Sequence, residues 1–243
     1  MLSEKPYKAI VLAGSSKSRL EAGIPSKALL AFRDKPLVSY VLAALKKSSL
    51  IAEVIYVGPE HPDIEAYIDI SLSPTESFAE NLRLAFEASE GFPTLISTND
   101  IPLISAAQID HFIQDAPKAD MVYPIVTKEL CETEFPNLKR TYVRLKDGSF
   151  TGGNMILCQA EAQAKVLAFA ARAYQARKSP LAMARLIGLS TVLGLILGQL
   201  RLENLEKRIG QVMGLTVKAW VSPSAAIATD VDKIEQLKAL EAC

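Results

Sequence analysis

One stretch of the chain decides its fold class: Ala9-Ile-Val-Leu-Ala-Gly-Ser-Ser-Lys-Ser-Arg19. Its first four residues are apolar and partly β-branched, a pattern that predicts a short buried strand. A loop rich in glycine and serine follows, and residues 36–47 then carry apolar side chains at helical spacing. A strand, a loop and a helix in this order predict a βαβ beginning, so the chain should form an α/β fold around a mostly parallel sheet.

The same alternation continues toward the carboxyl end. Strands are predicted over 53–57, 94–97, 120–125, 155–158 and 217–221, and helices over 77–88, 105–114 and 233–240. Residues 127–149 break the pattern and should cover a cleft, with 140–145 alternating like a hairpin arm or edge strand. Three helical patterns, 160–176, 181–200 and 202–213, predict a helical insertion at about 160–214. The absence of repeats and of a linker composition in the sequence predicts a single domain over 1–243.

Composition excludes several classes of protein. Of the 243 residues, 49% are apolar, which is enough for a large core and excludes a disordered chain. Lysine plus arginine and aspartate plus glutamate both total 27, so no global field would hold the protein on nucleic acid, and any basic site must be local. The cysteines are Cys131, Cys158 and Cys243, without metal or redox spacing. With no signal-peptide pattern at residues 1–8, these features predict a cytoplasmic protein.

The apolar stretch 180–200 needs a separate interpretation. Its run without charge extends only from Leu186 to Leu200, about 15 residues, which is too short for a membrane-spanning helix. The pattern therefore favours a buried or docking helix, with an amphipathic surface helix as the alternative.

The loop after the first predicted strand has the composition of a phosphate-binding loop. After Leu12, the small residues Ala13, Gly14, Ser15 and Ser16 follow one another, and cations come next at Lys17, Arg19 and Lys27. Backbone amides of small residues together with such cations suit a polyphosphate. A polar turn with solvated cations explains the spacing equally well, since the loop matches no established glycine-rich fingerprint.

Two later loops place acids at strand ends. Asp100 follows a predicted buried strand and suits Mg²⁺, which takes one or two carboxylates together with substrate phosphates. Helix capping is the alternative for Asp100, but Ser105 is better placed for that role. Asp230-Val-Asp232 precedes the closing helix, so Asp232 is either a metal ligand or an N-terminal cap.

These motifs together resemble the MobA-like nucleotidyltransferases, relatives of sugar-phosphate pyrophosphorylases. The resemblance rests on Ile10-Val-Leu-Ala-Gly14 with Arg19 and Lys27, on Asp100-Ile-Pro-Leu103, on Gly152-Gly-Asn154 and on Asp230-Val-Asp232. It implies a three-layer Rossmann-like, GT-A-type fold and a Mg²⁺-dependent transfer of NMP from an NTP to a small phosphorylated acceptor, releasing pyrophosphate.

The resemblance also implies roles for individual residues. Arg19, Lys27 and Asp100 would be catalytic, and Asp100 and Asp232 would bind Mg²⁺. Gly153 and Asn154 would border the acceptor. The nucleotide would be bound by the loop residues Leu12, Ala13, Gly14, Ser15, Ser16 and Lys17, and by Asn81 at a helix start.

Ser15 replaces the second glycine of the family loop, and Lys17 replaces a later small residue. Loss of glycine restricts the backbone conformations available for wrapping phosphate. A second hypothesis is therefore a catalytically inactive homologue that binds a nucleotide or sugar phosphate. A third is a scaffold whose apolar helices at 180–213 bind a partner or form a homodimer.

Overall fold

The computed structural model describes residues 7–14, 26–176 and 179–241. Within them the strands are β1 Tyr7–Leu12, β2 Ala31–Phe32, β3 Lys35–Pro36, β4 Ile51–Val57, β5 Ile70–Leu72, β6 Thr94–Thr98, β7 Met121–Thr127, β8 Val143–Leu145, β9 Gly148–Gly152, β10 Met155–Cys158 and β11 Val217–Val221. The helices are α1 Leu37–Lys47, α2 Pro62–Glu65, α3 Phe78–Ala88, α4 Ala106–Asp115, α5 Lys128–Glu134, α6 Gln163–Ala176, α7 Pro180–Ile187, α8 Leu189–Ile196, α9 Leu202–Met213 and α10 Ile234–Glu241.

Nine of these strands form one mixed sheet in the order β5-β4-β1-β6-β10-β7-β9-β8, with β11 also paired to β7. The pairs β4/β5, β1/β4, β1/β6 and β7/β11 are parallel, whereas β10 runs antiparallel to both β6 and β7. The predicted α/β class with a mostly parallel sheet is confirmed. Because β1 and β6 are parallel neighbours, the loops after Leu12 and Thr98 emerge at the same edge of the sheet.

Helices cover both faces of the sheet. In β1 the side chains alternate, so Ala9 and Val11 join a core with residues of α1 and α4, while Ile10 joins a second core with residues of α3 and α6. Because alternate side chains of β1 are buried on opposite faces of the sheet, helices cover each face and the fold has three layers. The helices therefore leave the strand ends, not the faces, for the binding of ligands.

The long strand beside β7 is interrupted at Gly153 and Asn154. β9 pairs Gly152 with Ile125, and β10 pairs Leu157 with Val122, so four residues of one strand oppose two of the other between these points. Such a bulge bends a strand and redirects its side chains. It brings the Gly-Asn segment to the carboxyl end of β6, where the Thr98 amide donates to the Asn154 carbonyl at 3.0 Å.

One helix prediction is wrong. The 181–200 pattern forms two helices, α7 and α8, because the chain turns at Gly188 with φ of 97°. Glycine reaches this positive φ without the clash that a Cβ would cause, so it can end one helix and begin the next. The apolar periodicity could not reveal the break, since both helices are rich in apolar residues and only Gly188 separates them.

The remaining predicted elements lie within a few residues of their observed bounds, although the 160–176 pattern begins as a 3₁₀ turn, Ala160–Ala162. Across the described ranges, no helix is both long enough and apolar enough to cross a membrane.

Candidate active site

A cleft of about 640 Å³ opens at the carboxyl ends of β1 and β6. It contains most of the residues predicted to bind nucleotide and acceptor that the structure describes: Leu12, Ala13, Gly14, Lys27, Asn81, Asp100, Gly153 and Asn154. Segments far apart in sequence therefore meet at one edge of the sheet, as parallel topology requires. Ser15, Ser16, Lys17 and Arg19 lie outside the described residues.

Asp100 is positioned by the loop that follows β6. The side-chain amide of Asn99 donates through Nδ2 to the Leu12 carbonyl at 2.8 Å and ties this loop to the end of β1. Helix α4 starts later, at a capping box formed by Ser105 and Gln108, so Asp100 is not needed as a cap. Its side chain is only 12% exposed, and its Oδ1 is buried without a hydrogen-bond partner among the described residues.

Lys27 bridges two acids that are distant in sequence. It begins a 3₁₀ turn capped by Ser26, whose hydroxyl also donates to the Ala13 carbonyl at 3.1 Å. The Lys27 Nζ lies 2.5 Å from Asp100 Oδ2 and 2.8 Å from Asp232 Oδ1. Burial alone would lower the pKa of Lys27, but attraction to Asp100 and hydrogen bonds to both acids outweigh it and raise this pKa.

Asp230 completes an acidic cluster with Asp100 and Asp232, in which one carboxylate oxygen of each lies within 4.8 Å of the others. Burial, followed by repulsion from Asp100 and Asp232, raises the pKa of Asp230 to about 6. Burial would also raise the pKa of Asp232, but the hydrogen bond and charge of Lys27, together with a hydrogen bond to Asp230 and the charge of Lys233, outweigh burial and lower this pKa. The cluster thus concentrates more negative charge than Lys27 alone balances.

The cluster fits a hard divalent cation. Three carboxylates converge, one buried oxygen of Asp100 has no partner among the described residues, and mutual repulsion already perturbs Asp230. Oxygen ligands of this kind suit Mg²⁺ or a similar ion, which would relieve that repulsion. Asp230 was not among the ligands predicted from sequence, although its spacing of two residues from Asp232 was a usable signal.

Asn81 organises the wall of the cleft. Its Oδ1 accepts from the Thr75 amide at 2.7 Å and the Thr75 hydroxyl at 2.8 Å, and its Nδ2 donates to the Thr75 carbonyl at 3.0 Å. A Cβ added to Gly14 would lie 3.2 Å from this Nδ2. Asn81 therefore holds the 75–77 loop against the end of β1, and its predicted contact with nucleotide remains a prediction.

Asn154 is held by a neighbouring loop. Its backbone amide donates to the Ile227 carbonyl at 2.9 Å, and its side-chain amide donates to the same carbonyl at 3.3 Å. Gly153 allows this geometry because a Cβ there would lie 2.8 Å from the ring of Pro124. The predicted contact of both residues with the acceptor is untested.

Sequence reasoning missed several residues of the cleft. Phe78 and Tyr174 stack at 4.8 Å between ring centroids and form an aromatic wall. Tyr123 also lines the cleft, and burial followed by the charge of Asp230 raises its pKa, so its hydroxyl stays protonated. These residues come from three separate elements, and scattered aromatic residues carry no local signal in a sequence.

A second pocket of about 820 Å³ contains Asp230 and Asp232 on its wall. Lys139, Arg140 and Lys233 are its cations. The Arg140 guanidinium is anchored by donation to the Ala228 carbonyl and, at 2.6 Å, to the Thr229 hydroxyl. Asp100 lines the cleft and the other two acids line this pocket, so the acidic cluster lies between the two cavities.

Comparison with solved structures supports this assignment of the fold. A hypothetical transferase from Thermus thermophilus is 39% identical over 96% of this chain and 99% of its own, with a TM-score of 0.87. A CMP:2-keto-3-deoxy-manno-octonic acid synthetase complexed with CTP (15% identity; 98% and 97% of the chains; TM-score 0.61) has the same fold. So does 2-C-methyl-D-erythritol 4-phosphate cytidylyltransferase, also from Thermus thermophilus (14%; 98% and 98%; 0.57). No curated protein matches the sequence significantly.

The fold and the strand-end site define a nucleotidyltransferase. The MobA-like NTP transferase domain matches residues 9–190, three quarters of the chain, and the chain belongs to this family. The matched range includes Lys27 and Asp100, whereas Asp230 and Asp232 lie beyond it.

Proposed function

We propose that the protein transfers NMP from a nucleoside triphosphate to a small phosphorylated acceptor and releases pyrophosphate, with a divalent cation, Mg²⁺, as cofactor. The observation that carries this proposal is the junction of Lys27 with Asp100 and Asp232, beside Asp230, at the strand ends. A cation and converging carboxylates at this position suit the handling of a polyphosphate.

The shape and polarity of the cleft support a nucleotide as the first substrate. Its volume of about 640 Å³ is in the range of small-molecule sites. Leu12, Phe78 and Tyr174 give it an apolar wall suited to a nucleobase, and Lys27 and Asp100 give it a charged end suited to phosphates. One structural neighbour, at 15% identity, is complexed with CTP, a ligand that has both a base and a triphosphate.

The second pocket supports a phosphorylated acceptor. It adjoins the acidic cluster through Asp230 and Asp232 and carries the cations Lys139, Arg140 and Lys233. Cations of this kind recognise phosphate by charge and, for arginine, by paired hydrogen bonds. An acceptor held there would approach the cluster from the side opposite the nucleotide cleft.

The proposed reaction is a single displacement at the α-phosphorus. An oxygen of the acceptor phosphate forms the new P–O bond while the bond from the α-phosphorus to the bridging oxygen breaks, and pyrophosphate leaves with that electron pair. A phosphate acceptor is already ionised at neutral pH, so no general base is required. Lys27 is 21% exposed, which allows its ammonium to neutralise charge that develops on the phosphate oxygens.

Asp100, Asp230 and Asp232 would hold the divalent cation. When bound, such a cation supplies Lewis-acid polarisation of phosphate oxygens and neutralises their charge. The bulge at Gly153 and Asn154 lies beside the same strand ends, where it would limit the access of water and orient the acceptor.

Pyrophosphate release from the four nucleoside triphosphates with Mg²⁺, measured across candidate phosphorylated metabolites, tests the proposal. Lys27→Gln and Asp100→Asn should each lower kcat/KM by at least about 100-fold, because each removes a preorganised charge. Lys118→Gln is the matched control, since Lys118 precedes β7 at the opposite edge of the sheet and should leave the rate unchanged.

Circular dichroism and thermal melts would establish that the variants fold. Near-normal pyrophosphate release by folded Lys27→Gln or Asp100→Asn would reject the assignment. If nucleoside triphosphates raise the melting temperature but no acceptor yields pyrophosphate, the chain is the catalytically inactive homologue.

A further inference from the structure

The exposed face of α8 is apolar. Leu189, Leu193, Ile196 and Leu197 are 63%, 48%, 74% and 67% exposed, and Leu181 on α7 is 61% exposed. With Leu197 as the cap that ends α8, these four residues are spaced i, i+4, i+7 and i+8, which places them along one side of the helix. A surface helix of a globular protein normally shows the reverse pattern, with polar residues toward solvent.

The other side of α8 is firmly packed. Leu195 of α8 and Leu200, in the segment that follows the helix, pack against a small core formed by Ile125, Leu145 and Phe150. The Lys146 amide donates to the Leu200 carbonyl at 2.9 Å. The apolar face is therefore presented to solvent by a helix that is anchored on its other side.

The charge of the surrounding segment is one-sided. Between Ala162 and Leu202 the sequence holds no aspartate or glutamate, but it holds six cations: Lys165, Arg172, Arg177, Lys178, Arg185 and Arg201. This asymmetry stands out because the chain as a whole has 27 residues of each sign. Arg172 and Arg185 are exposed, and Arg201, 66% exposed, lies 4.0 Å from Asp147 outside the segment.

This combination favours an anionic, apolar partner over a second copy of the chain. A two-fold interface would set the same patch against itself, so the cations would face like charges with no acid in the segment to pair with them. A bilayer with anionic headgroups offers both hydrocarbon for the apolar face of α8 and negative charge for the arginines.

We propose that α7 and α8 dock the protein on an anionic membrane surface, with the apolar face of α8 inserted among the lipids and the flanking arginines at the headgroups. Helix α6 contacts α7 and also lines the cleft through Val166, Ala170 and Tyr174. Docking through α7 and α8 would therefore hold the cleft close to the membrane surface.

Co-sedimentation of the full chain with vesicles tests this proposal. We expect the protein to bind vesicles of phosphatidylcholine with about 30% phosphatidylglycerol, to bind pure phosphatidylcholine weakly, and to dissociate at high salt. The double substitution Leu193→Gln/Ile196→Gln should lower the partition coefficient at least about tenfold, because it removes two inserted side chains. Arg172→Gln/Arg185→Gln should weaken binding to the anionic vesicles only.

Val221→Gln and Lys47→Gln are matched controls, because they remove an exposed apolar residue and an exposed cation elsewhere on the molecule. Since all the substituted residues are exposed, thermal melts should be unchanged. The proposal is overturned if Leu193→Gln/Ile196→Gln binds vesicles as the wild type does. The proposal is also overturned if the wild type does not bind anionic vesicles. Light scattering would then show whether this face forms a dimer, and a binding assay would show whether it takes a soluble polyanion.

Discussion

Lys27 occupies the point at which charges from three loops meet. It contacts Asp100 after β6 and Asp232 before α10, and 205 positions of the sequence separate Lys27 from Asp232. Burial, together with repulsion from Asp100 and Asp232 that one ammonium does not cancel, raises the pKa of Asp230 to about 6. A site in which carboxylates repel one another is arranged to gain free energy when a cation binds.

Asp230→Asn should therefore stabilise the protein in the presence of a chelator and weaken its response to Mg²⁺. A pKa raised from 3.8 to about 6 means that the charged carboxylate costs stability at neutral pH, on the order of 1–3 kcal/mol. The wild type recovers this stability as the pH falls through about 6 and has it fully below about 4. Urea unfolding of both proteins at several pH values would measure the difference.

The gain from Asp230→Asn should thus be largest above pH 6 and should vanish near pH 4. Asp147→Asn, a substitution outside the acidic cluster, provides the comparison. A gain that is constant across the pH range, or a variant whose melting temperature responds to Mg²⁺ as the wild type does, would contradict the proposed role of Asp230.

At the scale of elements, the bulge between β9 and β10 shapes the cleft. The Gly153 amide donates to the Pro124 carbonyl at 2.7 Å, a close approach that a side chain would obstruct. A Cβ at Gly153 would lie 2.8 Å from the Pro124 ring and 3.1 Å from the Pro124 carbonyl oxygen. The Gly-Gly-Asn motif therefore has a steric reason at its second glycine, independent of any ligand.

Gly153→Ala should destabilise the fold by about 1–3 kcal/mol, because the strand must shift to accommodate the methyl group. Gly194→Ala is the matched control. A Cβ at Gly194, in the middle of α8, would make only ordinary contacts at 3.5 Å and 3.6 Å with Leu200. Since alanine also favours the helix, Gly194→Ala should raise stability by up to about 1 kcal/mol.

Chemical denaturation of the two glycine variants would compare these effects directly. Gly153→Ala should also reduce pyrophosphate release, since its shift would displace the backbone of Asn154 at the edge of the cleft. Equal stability of both variants would show that the bulge tolerates a side chain and is not sterically fixed.

At the scale of the whole molecule, the carboxyl-terminal segment closes the site. Val231 and Leu240 are fully buried in a cluster with Phe32 of β2 and with Leu30 and Leu37, which flank the β2–β3 hairpin. The Val231 amide donates to the Asp100 carbonyl at 3.0 Å, so the same contact that buries this segment places Asp232 beside Lys27. The assembly of the acidic cluster therefore depends on packing between the two ends of the sequence.

Leu240→Ala should lower stability by about 2–4 kcal/mol and raise the Mg²⁺ concentration needed for activity. The first effect follows from the loss of a fully buried leucine, and the second from looser attachment of the segment that carries Asp232. Lys238→Ala, at an exposed position of the same helix, is the control. Denaturation curves and a titration of pyrophosphate release with Mg²⁺ are the measurements. If Leu240→Ala is destabilised but its Mg²⁺ dependence is unchanged, the packing of α10 does not control the position of Asp232.

The sequence by itself determined the fold class and the loops that carry the site. Apolar runs with a period of two or 3.6 are local signals, so most strands and helices were predicted within a few residues. In a parallel sheet the loops after β1 and β6 must meet, so the sequence alone was enough to expect Lys27 and Asp100 near each other.

Only the tertiary structure decided how the charges combine and which faces remain exposed. The bridge from Asp100 to Asp232 through Lys27, the inclusion of Asp230 and the aromatic wall of Phe78 and Tyr174 all join distant segments. The break at Gly188 and the exposed face of α8 also could not be predicted. The sequence pattern of an apolar helix is the same whether its leucines are buried or face solvent. Local periodicity specifies an element, whereas burial and charge balance depend on what the rest of the chain places beside it.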